Sequence, residues 1–376
     1  VDDKMVIFES YMGRSYSCSP KALYLEMLNN PKYKDYKFVW AFRVTNNYLF
    51  LGNNSNTYLV EYGSKQYYQT YATAKYWFSN SRLPYKIWPK KSQKYVQCWH
   101  GTPLKKLGFD IIDNNDHAKY TKKELATQYL EEAKRFTYLL SPSAYATNCF
   151  ESAFNLKALG KEDCVLELGY PRNDYLYSYK KTDISRIKKQ LKIPNNKKII
   201  LYAPTWRDNQ HSSATGYTHK NELDLDLMQK ELGKEWVILY RAHYFISNAF
   251  NFTKYVGFVY DVSKFDDINE LYIISDVLIT DYSSVLFDYA ILQRPIILYM
   301  PDLEYYQNNV RGLYFNPKSI PGDCVTSIDQ ILNAIITNNI ERYSNERLKS
   351  FNSKYNILNT KNTASRVIEA VIKQNT

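Results

Sequence analysis

The sequence predicts an α/β protein built from two Rossmann-like, doubly wound domains that face a central cleft. Three observations lead there. Short apolar runs of strand length alternate with charged stretches of helical length along most of the chain, the pattern of βαβ units and a parallel sheet. The chain has 376 residues, enough for two hydrophobic cores of ordinary size. Several apolar runs also end abruptly on His, Arg, Thr or Ser, at the strand ends where open α/β sheets bind their ligands.

In order, residues 5–8 read as a first strand and 9–14 as a polar loop. Ser19 is read as the cap of a helix with Pro20 at its first position, where the missing N–H has no helical partner to lose. Strand-like runs follow at 38–42 and 76–78 with a helical stretch between, then at 95–99. Residues 122–135 have helical spacing, 136–140 return as a strand, and Ser141-Pro142 opens another helix. Residues 159–174 read as a crossing between lobes, with a short strand at 165–168 and a turn-rich loop at 169–174. In the second half, strands are expected at 199–203, 237–240, 277–280 and 296–299. Helices are expected near 184–191, 222–232, 267–275, 283–292 and 327–337. The domains are thus set at 5–160 and 161–345, with 346–376 as terminal helices packing back on the first. Val1-Asp2-Asp3-Lys4 looks like a vector or protease-site remnant and is left out of the fold.

The balance of 49 Lys+Arg against 38 Asp+Glu gives +11 and points to an anionic partner. Nucleic acid is not expected. No RRM, KH, zinc or helix-turn-helix signature is present, and the basic residues are spread through loops. The 37 tyrosines, many beside lysine, read as the coding bias of an AT-rich genome. Five scattered cysteines without a CxxC pair argue against a disulfide framework or zinc site and for a reducing compartment. No membrane span is expected, because the best apolar run, 289–300, is broken by Arg294-Pro295.

The chemistry centres on residues 95–110, YVQCWHGTPLKKLGFD. The apolar strand stops at His100-Gly101-Thr102-Pro103. A histidine at a strand tip is suited to general-base work near neutral pH, although the same position also suits a residue that only anchors its loop. The second half supplies a matching anion site. Residues 201–207 end a strand on Pro204, Thr205 and Arg207; 240–243 end one on Arg241 and His243; Arg311-Gly312 lies in a later loop. At 280–288, a helix beginning at Ser283-Ser284 offers free N–H groups, two hydroxyls and the positive end of a dipole to a diphosphate, with Asp288 one turn on for a ribose hydroxyl. A serine cap alone is common; the cations ending on the same sheet edge are what favour a ligand.

These pieces, WHGTPLK at 99–105, GYPRND at 169–174, APTWR at 203–207, RAH at 241–243 and SDVLITDYSS at 275–284, together resemble the CDP-glycerol glycerophosphotransferase family, which builds teichoic acids and related capsules. The resemblance implies a GT-B fold and transfer of glycerol phosphate from CDP-glycerol to a hydroxyl of a lipid-linked acceptor, releasing CMP. It implies catalytic roles for His100, as the base, and His243, which joins Arg241 at the donor phosphates. Ser283, Ser284 and Asp288 would hold the nucleotide. Gly101, Thr102, Pro103, Arg172, Pro204, Thr205, Arg207 and Arg311 would line the substrate site. No cofactor or metal is expected: no DxD ends a strand, and Asp266-Asp267 reads as a helix cap. The family's lipid-linked acceptors imply a peripheral enzyme at the cytoplasmic face of the membrane. Lys86, Lys90, Lys91, Lys94, Lys105 and Lys106, with Trp88 and Tyr95 among them, are a candidate contact, and the basic stretch 122–140 is a second. A CDP-ribitol ribitolphosphotransferase and a GT-B sugar-nucleotide glycosyltransferase or epimerase remain the alternatives. Chain extension is favoured over priming.

Overall fold

β-branched and aromatic residues dominate the apolar runs of the first half, and in the computed structural model they pair as a seven-stranded parallel sheet. The structure describes residues 1–372 except 113–120, 206–210, 213–215, 218–222, 243–250, 305, 307–311, 316–318 and 338–345. The strands are β1 (Asp2–Glu9), β2 (Lys37–Phe42), β3 (Thr57–Glu61), β4 (Ala74–Ser79), β5 (Lys94–Gln97), β6 (Tyr138–Ser141) and β7 (Val165–Glu167), in the order β3-β2-β1-β4-β5-β6-β7. The strand order reverses between β1 and β4, so the loops leaving β1, β4 and β5 share the edge at which such sheets bind ligands. Phe8, Phe38, Trp40 and Phe78 form the aromatic core, with Phe8 stacked on Trp40 and Phe78 at 5.5 and 5.6 Å. Each such buried ring contributes about 1.5–3 kcal/mol.

The second sheet contains β8 (Lys198–Ala203), β11 (Trp236–Tyr240), β12 (Val259–Asp261), β13 (Val277–Thr280), β14 (Ile296–Tyr299) and β15 (Asp323–Val325), after a small antiparallel pair of β9 (His211–Ser212) and β10 (Gly216–Tyr217). Its order is β12-β11-β8-β13-β14-β15, all parallel, reversing between β8 and β13. Ile200, Ile238, Ile279 and Ile297 fill its interior.

The chain divides into Val1–His100, Ala126–Ser178 and Ile357–Thr376 as one unit, and Gly101–Leu125 and Tyr179–Asn356 as the other. This differs from the boundaries read from sequence. Residues 165–167, taken as part of the crossing, are the seventh strand of the first sheet, paired with β6. The stretch after the first histidine motif goes with the second unit.

Smaller corrections follow from local contacts. Residues 2–4, set aside as a remnant, extend β1: Asp2 pairs with Ala74, and Asp3 accepts from Lys75 Nζ at 2.9 Å. The helix Cys18–Asn29 has Ser17, not Ser19, at its N-cap position, with no side-chain cap bond, and Cys18 begins it from a left-handed φ of 62. The Ser19 hydroxyl accepts from Arg172 N instead, at 3.4 Å. The helix Ala144–Ala153 starts from Ser143, whose Oγ accepts from Ala146 N at 3.3 Å. β3, β12 and β15 were not anticipated. All three lie at sheet edges and carry short or mixed polar sequences.

Glu9, at the end of β1, is fully buried. Its Oε2 accepts from Tyr67 and Tyr71 hydroxyls at 2.8 and 3.0 Å, and Oε1 has no hydrogen-bond partner among the described residues. Burial pushes the carboxyl up to about 7, against the two tyrosine bonds. The folded unit therefore holds a proton that the unfolded chain releases from its ordinary value of 4.5 upward. This contribution to stability is present in full below that value, falls as pH rises to about 7 and is flat above. Glu9→Gln, which mimics the protonated form, is expected to flatten this slope and to be the more stable protein at pH 8. Urea titrations of both proteins at pH 5 and pH 8 check it; equal slopes contradict it.

Candidate active site

The first unit builds its site around the end of β5. Cys98 N donates to Ser79 O at 2.7 Å, continuing the ladder one residue past the strand. Trp99 then turns left-handed, at φ +52, with its ring edge-on to Tyr129, Phe150 and Phe154. That turn delivers His100, whose imidazole stacks on Trp99 at 4.6 Å and places Nδ1 2.9 Å from the carbonyl oxygen of Asn80. A carbonyl can only accept, so Nδ1 carries the proton and Nε2 keeps a lone pair, the tautomer a base needs.

The protein around the ring pushes the pKa of His100 below the ordinary histidine value. Burial is the largest cause, opposed by the Asn80 bond and reinforced by the Arg172 and Arg82 cations. The side chain is nevertheless more than a third exposed, which weakens the burial contribution. The direction stands because the two cations disfavour imidazolium as well.

The loop after β1 supplies the neighbours. Tyr11, Met12 and Gly13 run left-handed at φ 49, 56 and 75, Tyr11 N donates to Asn80 Oδ1 at 2.8 Å, and the Tyr11 ring lies 6.3 Å from His100. Arg172 is 6% exposed, lies over the Tyr170 ring at 4.1 Å and donates from Nη1 to Cys18 Sγ at 3.9 Å. The fold thus gathers His100 and Arg172 with Tyr11 and Asn80, which the sequence reading missed. Their only signal was that both sit just past strands, in polar segments at the point where the strand order reverses.

In the second unit, Gly101 rests on Ser284: a Cβ there would lie 2.3 Å from Ser284 Oγ and 2.8 Å from its Cβ. Only glycine permits that approach. Thr102, Pro103 and Leu104 are buried, and the chain is then laced to residues 312–314. Lys106 N donates to Gly312 O and Tyr314 N to Leu104 O, both at 3.0 Å, around an antiparallel bridge between Lys105 and Leu313. Beyond β8 and Pro204, Thr205 N donates to Asp281 Oδ1 at 2.7 Å, tying that loop to the end of β13. The hydroxyls of Thr102 and Thr205 are both buried, and neither has a hydrogen-bond partner among the described residues. A buried orphan hydroxyl is costly unless something else satisfies it.

The helix after Ser283 and Ser284 is short, six residues from Val285 to Ala290, and Asp288 within it is 5% exposed. Ser283 Oγ accepts from Val285 N at 3.4 Å, while Ser284 makes no cap bond. The helix dipole is correspondingly modest, and the hydroxyls carry more of the anion reading. Arg241 donates from Nη1 to the carbonyls of Val262, at 2.9 Å, and Phe265, at 2.5 Å, so part of its guanidinium pins a loop. Asp267 caps the helix Ile268–Ile274 by accepting from Asn269 N at 3.1 Å. Arg207, His243 and Arg311 lie outside the described residues.

The lysine cluster is divided. Lys86, Lys90, Lys91 and Lys94 belong to the first unit, Lys105 and Lys106 to the second. The helix Lys122–Arg135 turns Tyr129 onto Trp99 and buries Glu132 beside Arg135, so at least this face serves packing. Among the described residues no helix is long and apolar enough to cross a membrane, and no group of three or more His, Cys, Asp or Glu could hold a metal ion.

A profile of the family described as CDP-Glycerol:Poly(glycerophosphate) glycerophosphotransferase matches residues 1–373. The chain belongs to this family. It is 40% identical over 374 residues to the teichoic acid poly(glycerol phosphate) polymerase of Bacillus spizizenii W23, covering 99% of this chain and 92% of that protein. The polymerase of the same name from Bacillus subtilis 168 is 41% identical over 339 residues, covering 89% of this chain and 44% of that protein. The chain therefore spans less than half of that relative. Among solved structures, the wall teichoic acid polymerase TagF, as a histidine-to-asparagine variant soaked with CDPG, has a TM-score of 0.89 at 35% identity, covering 99% of this chain and 89% of that one. UDP-GlcNAc 2-epimerase from Neisseria meningitidis has a TM-score of 0.54 at 14% identity, covering 98% and 100%, a likeness of fold alone. The chain is a glycerophosphotransferase of teichoic acid synthesis with a GT-B-like pair of parallel-sheet domains.

Proposed function

We propose that this glycerophosphotransferase extends a lipid-linked glycerol phosphate acceptor. The acceptor hydroxyl attacks the phosphorus that bears glycerol in CDP-glycerol, His100 Nε2 takes the hydroxyl proton, and CMP leaves. The new bond is acceptor oxygen to phosphorus, and the broken one joins that phosphorus to the oxygen of CMP. The lone pair that the Asn80 carbonyl leaves on Nε2 supports the first role.

The observation that carries the donor site is the pair of buried hydroxyls on Thr102 and Thr205 that have no partner among the described residues, beside Gly101 against Ser284 and Asp281 against Thr205. Phosphate oxygens would satisfy both. On this reading Pro103, Pro204, Ser283 and Asp288 complete the donor site with Arg207, Arg241 and Arg311, and His243 assists at the phosphates. Fixed cations and hydroxyls then carry the phosphoryl charge, and the proposal is that transfer needs no metal.

The reading also places the enzyme at the cytoplasmic face of the membrane. Its support is a loop that exposes Tyr85 (78%) and Trp88 (52%) among Lys86, Lys90 and Lys91. Arg135 holds this loop rigid by donating to the carbonyls of Leu83, Pro84 and Ile87. Aromatic side chains with lysines suit an anionic lipid interface.

Thr205→Val tests the donor site with two opposite signs. Removing an orphan hydroxyl is expected to raise the melting temperature of the ligand-free protein. Removing a phosphate donor is expected to shrink the stabilisation that CDP-glycerol gives. A variant that melts lower yet keeps the full CDP-glycerol shift contradicts the assignment.

A further inference from the structure

We propose that Gln97 is the positioning residue of His100: one buried amide fixes both the backbone that carries the imidazole and the segment whose carbonyl accepts from its Nδ1–H. The inference rests on His100 being the base, and its test is chosen to succeed or fail apart from that reading.

Gln97 is the last residue of β5, and its side chain has no exposed surface. Its Oε1 accepts from Trp99 N at 3.0 Å, and its Nε2 donates to Ser81 O at 3.1 Å. The amide has only one orientation that serves both, since an N–H must meet an acceptor and a carbonyl a donor. Nε2 also meets the Tyr95 hydroxyl at 2.9 Å and Glu132 Oε1 at 3.4 Å. Tyr95 in turn donates to Glu132, which is paired with Arg135. Every group around the amide is therefore held by another.

Each end of Gln97 controls one half of the histidine geometry. The first half is the left-handed turn at Trp99. A non-glycine residue is strained there and persists only where its surroundings impose it. The bond from Trp99 N to Gln97 and the packing of the indole impose it, and His100 is the next residue. The second half is the segment after β4. Ser81 O, held by Gln97 and by Ser79 Oγ at 3.0 Å, follows directly on Asn80 O, the acceptor of His100 Nδ1–H. A glutamine at the buried end of the strand, an unusual residue for such a position, is explained by this double duty. The groups facing the imidazole, Arg172, Arg82 and Tyr11, are not among the partners of the Gln97 side chain.

Gln97→Met keeps the volume and removes both bonds. In the full chain, kcat for CMP release is expected to fall about 100-fold, the scale of an ångström-level misplacement of a reacting group, with the KM for CDP-glycerol unchanged. The decisive readout is nitrogen NMR of histidine-labelled protein, with His100 assigned by its loss in His100→Ala. The parent enzyme is expected to show a protonated Nδ1 and a lone pair on Nε2, and Gln97→Met a mixture of tautomers. Gln97→Glu, which keeps the acceptor for Trp99 and loses the donor to Ser81, is expected to fall between the two, and it carries the test if Gln97→Met does not fold. A folded variant that keeps the parent tautomer and turnover overturns the proposal. If His100→Ala itself retains turnover, the base assignment fails, while the tautomer measurement still decides what Gln97 does.

Discussion

His100→Ala is expected to lower CMP release from CDP-glycerol by about 10²- to 10⁴-fold, the range that positioned acid–base groups supply, with the circular dichroism spectrum and melting temperature of the parent. The expectation of an intact fold follows from the contacts the side chain makes. Its ring is partly exposed, forms one hydrogen bond, to Asn80 O, and stacks on a tryptophan that three other aromatic rings already hold. The loss should fall on kcat more than on the KM for the donor, because the base acts only as the acceptor proton leaves. Because burial, with the Arg172 and Arg82 cations, holds the imidazolium down, the acid limb of the parent's kcat profile should lie below the usual histidine range. That limb should be missing in the variant's residual activity. Near-parental turnover, or an unchanged acid limb, removes His100 from the catalytic role.

Gly101→Ala should be nearly as damaging for a different reason. The added methyl would sit 2.3 Å from Ser284 Oγ and 2.8 Å from Ser284 Cβ, too close for either atom to stay in place. Overpacking of this kind costs about 1–3 kcal/mol in stability. The functional loss should exceed it, because the residue that moves is bonded directly to His100 and leads into the segment laced to Gly312 and Tyr314. An ångström of displacement near reacting atoms is worth about 100-fold. The control is Ser284→Gly in the same chain, which removes both obstructing atoms. The double variant should be more active and more stable than Gly101→Ala alone, even though Ser284→Gly by itself gives up a hydroxyl. Purely additive losses in that cycle would mean the contact is not what makes glycine necessary.

The fold and the site were legible to different degrees, for identifiable reasons. The central strands were readable because burial on both faces makes them continuous apolar runs, as in KIILYA at 198–203 and VLIT at 277–280. β3, with buried and exposed residues interleaved, and the three-residue β12 and β15 carry no such run. The charged residues 2–4 looked foreign, yet parallel pairing to Ala74 and a lysine partner are enough to hold them in β1. His100 was visible since one residue separates an apolar strand from a glycine–proline stop. Asn80, Tyr11 and Gln97 were not, because each matters through a contact made across the sheet: Asn80 by a backbone carbonyl that any residue type carries, Tyr11 by a left-handed loop, Gln97 by a polar side chain that local reading treats as an interruption of the strand. The nearness of Gly101 to Ser284, far apart in sequence, had no local signal at all.

We propose that this glycerophosphotransferase moves glycerol phosphate from CDP-glycerol to a lipid-linked glycerol phosphate acceptor with His100 as base. The most direct test is CMP release by the parent and His100→Ala proteins, given CDP-glycerol with and without that acceptor, with CDP-ribitol and EDTA as parallel arms. The expected result is acceptor-dependent release from CDP-glycerol alone, unaffected by EDTA and lost in the variant. Release from CDP-ribitol instead would change the donor, and no release from either cytidine donor, with the acceptor present, would contradict the account.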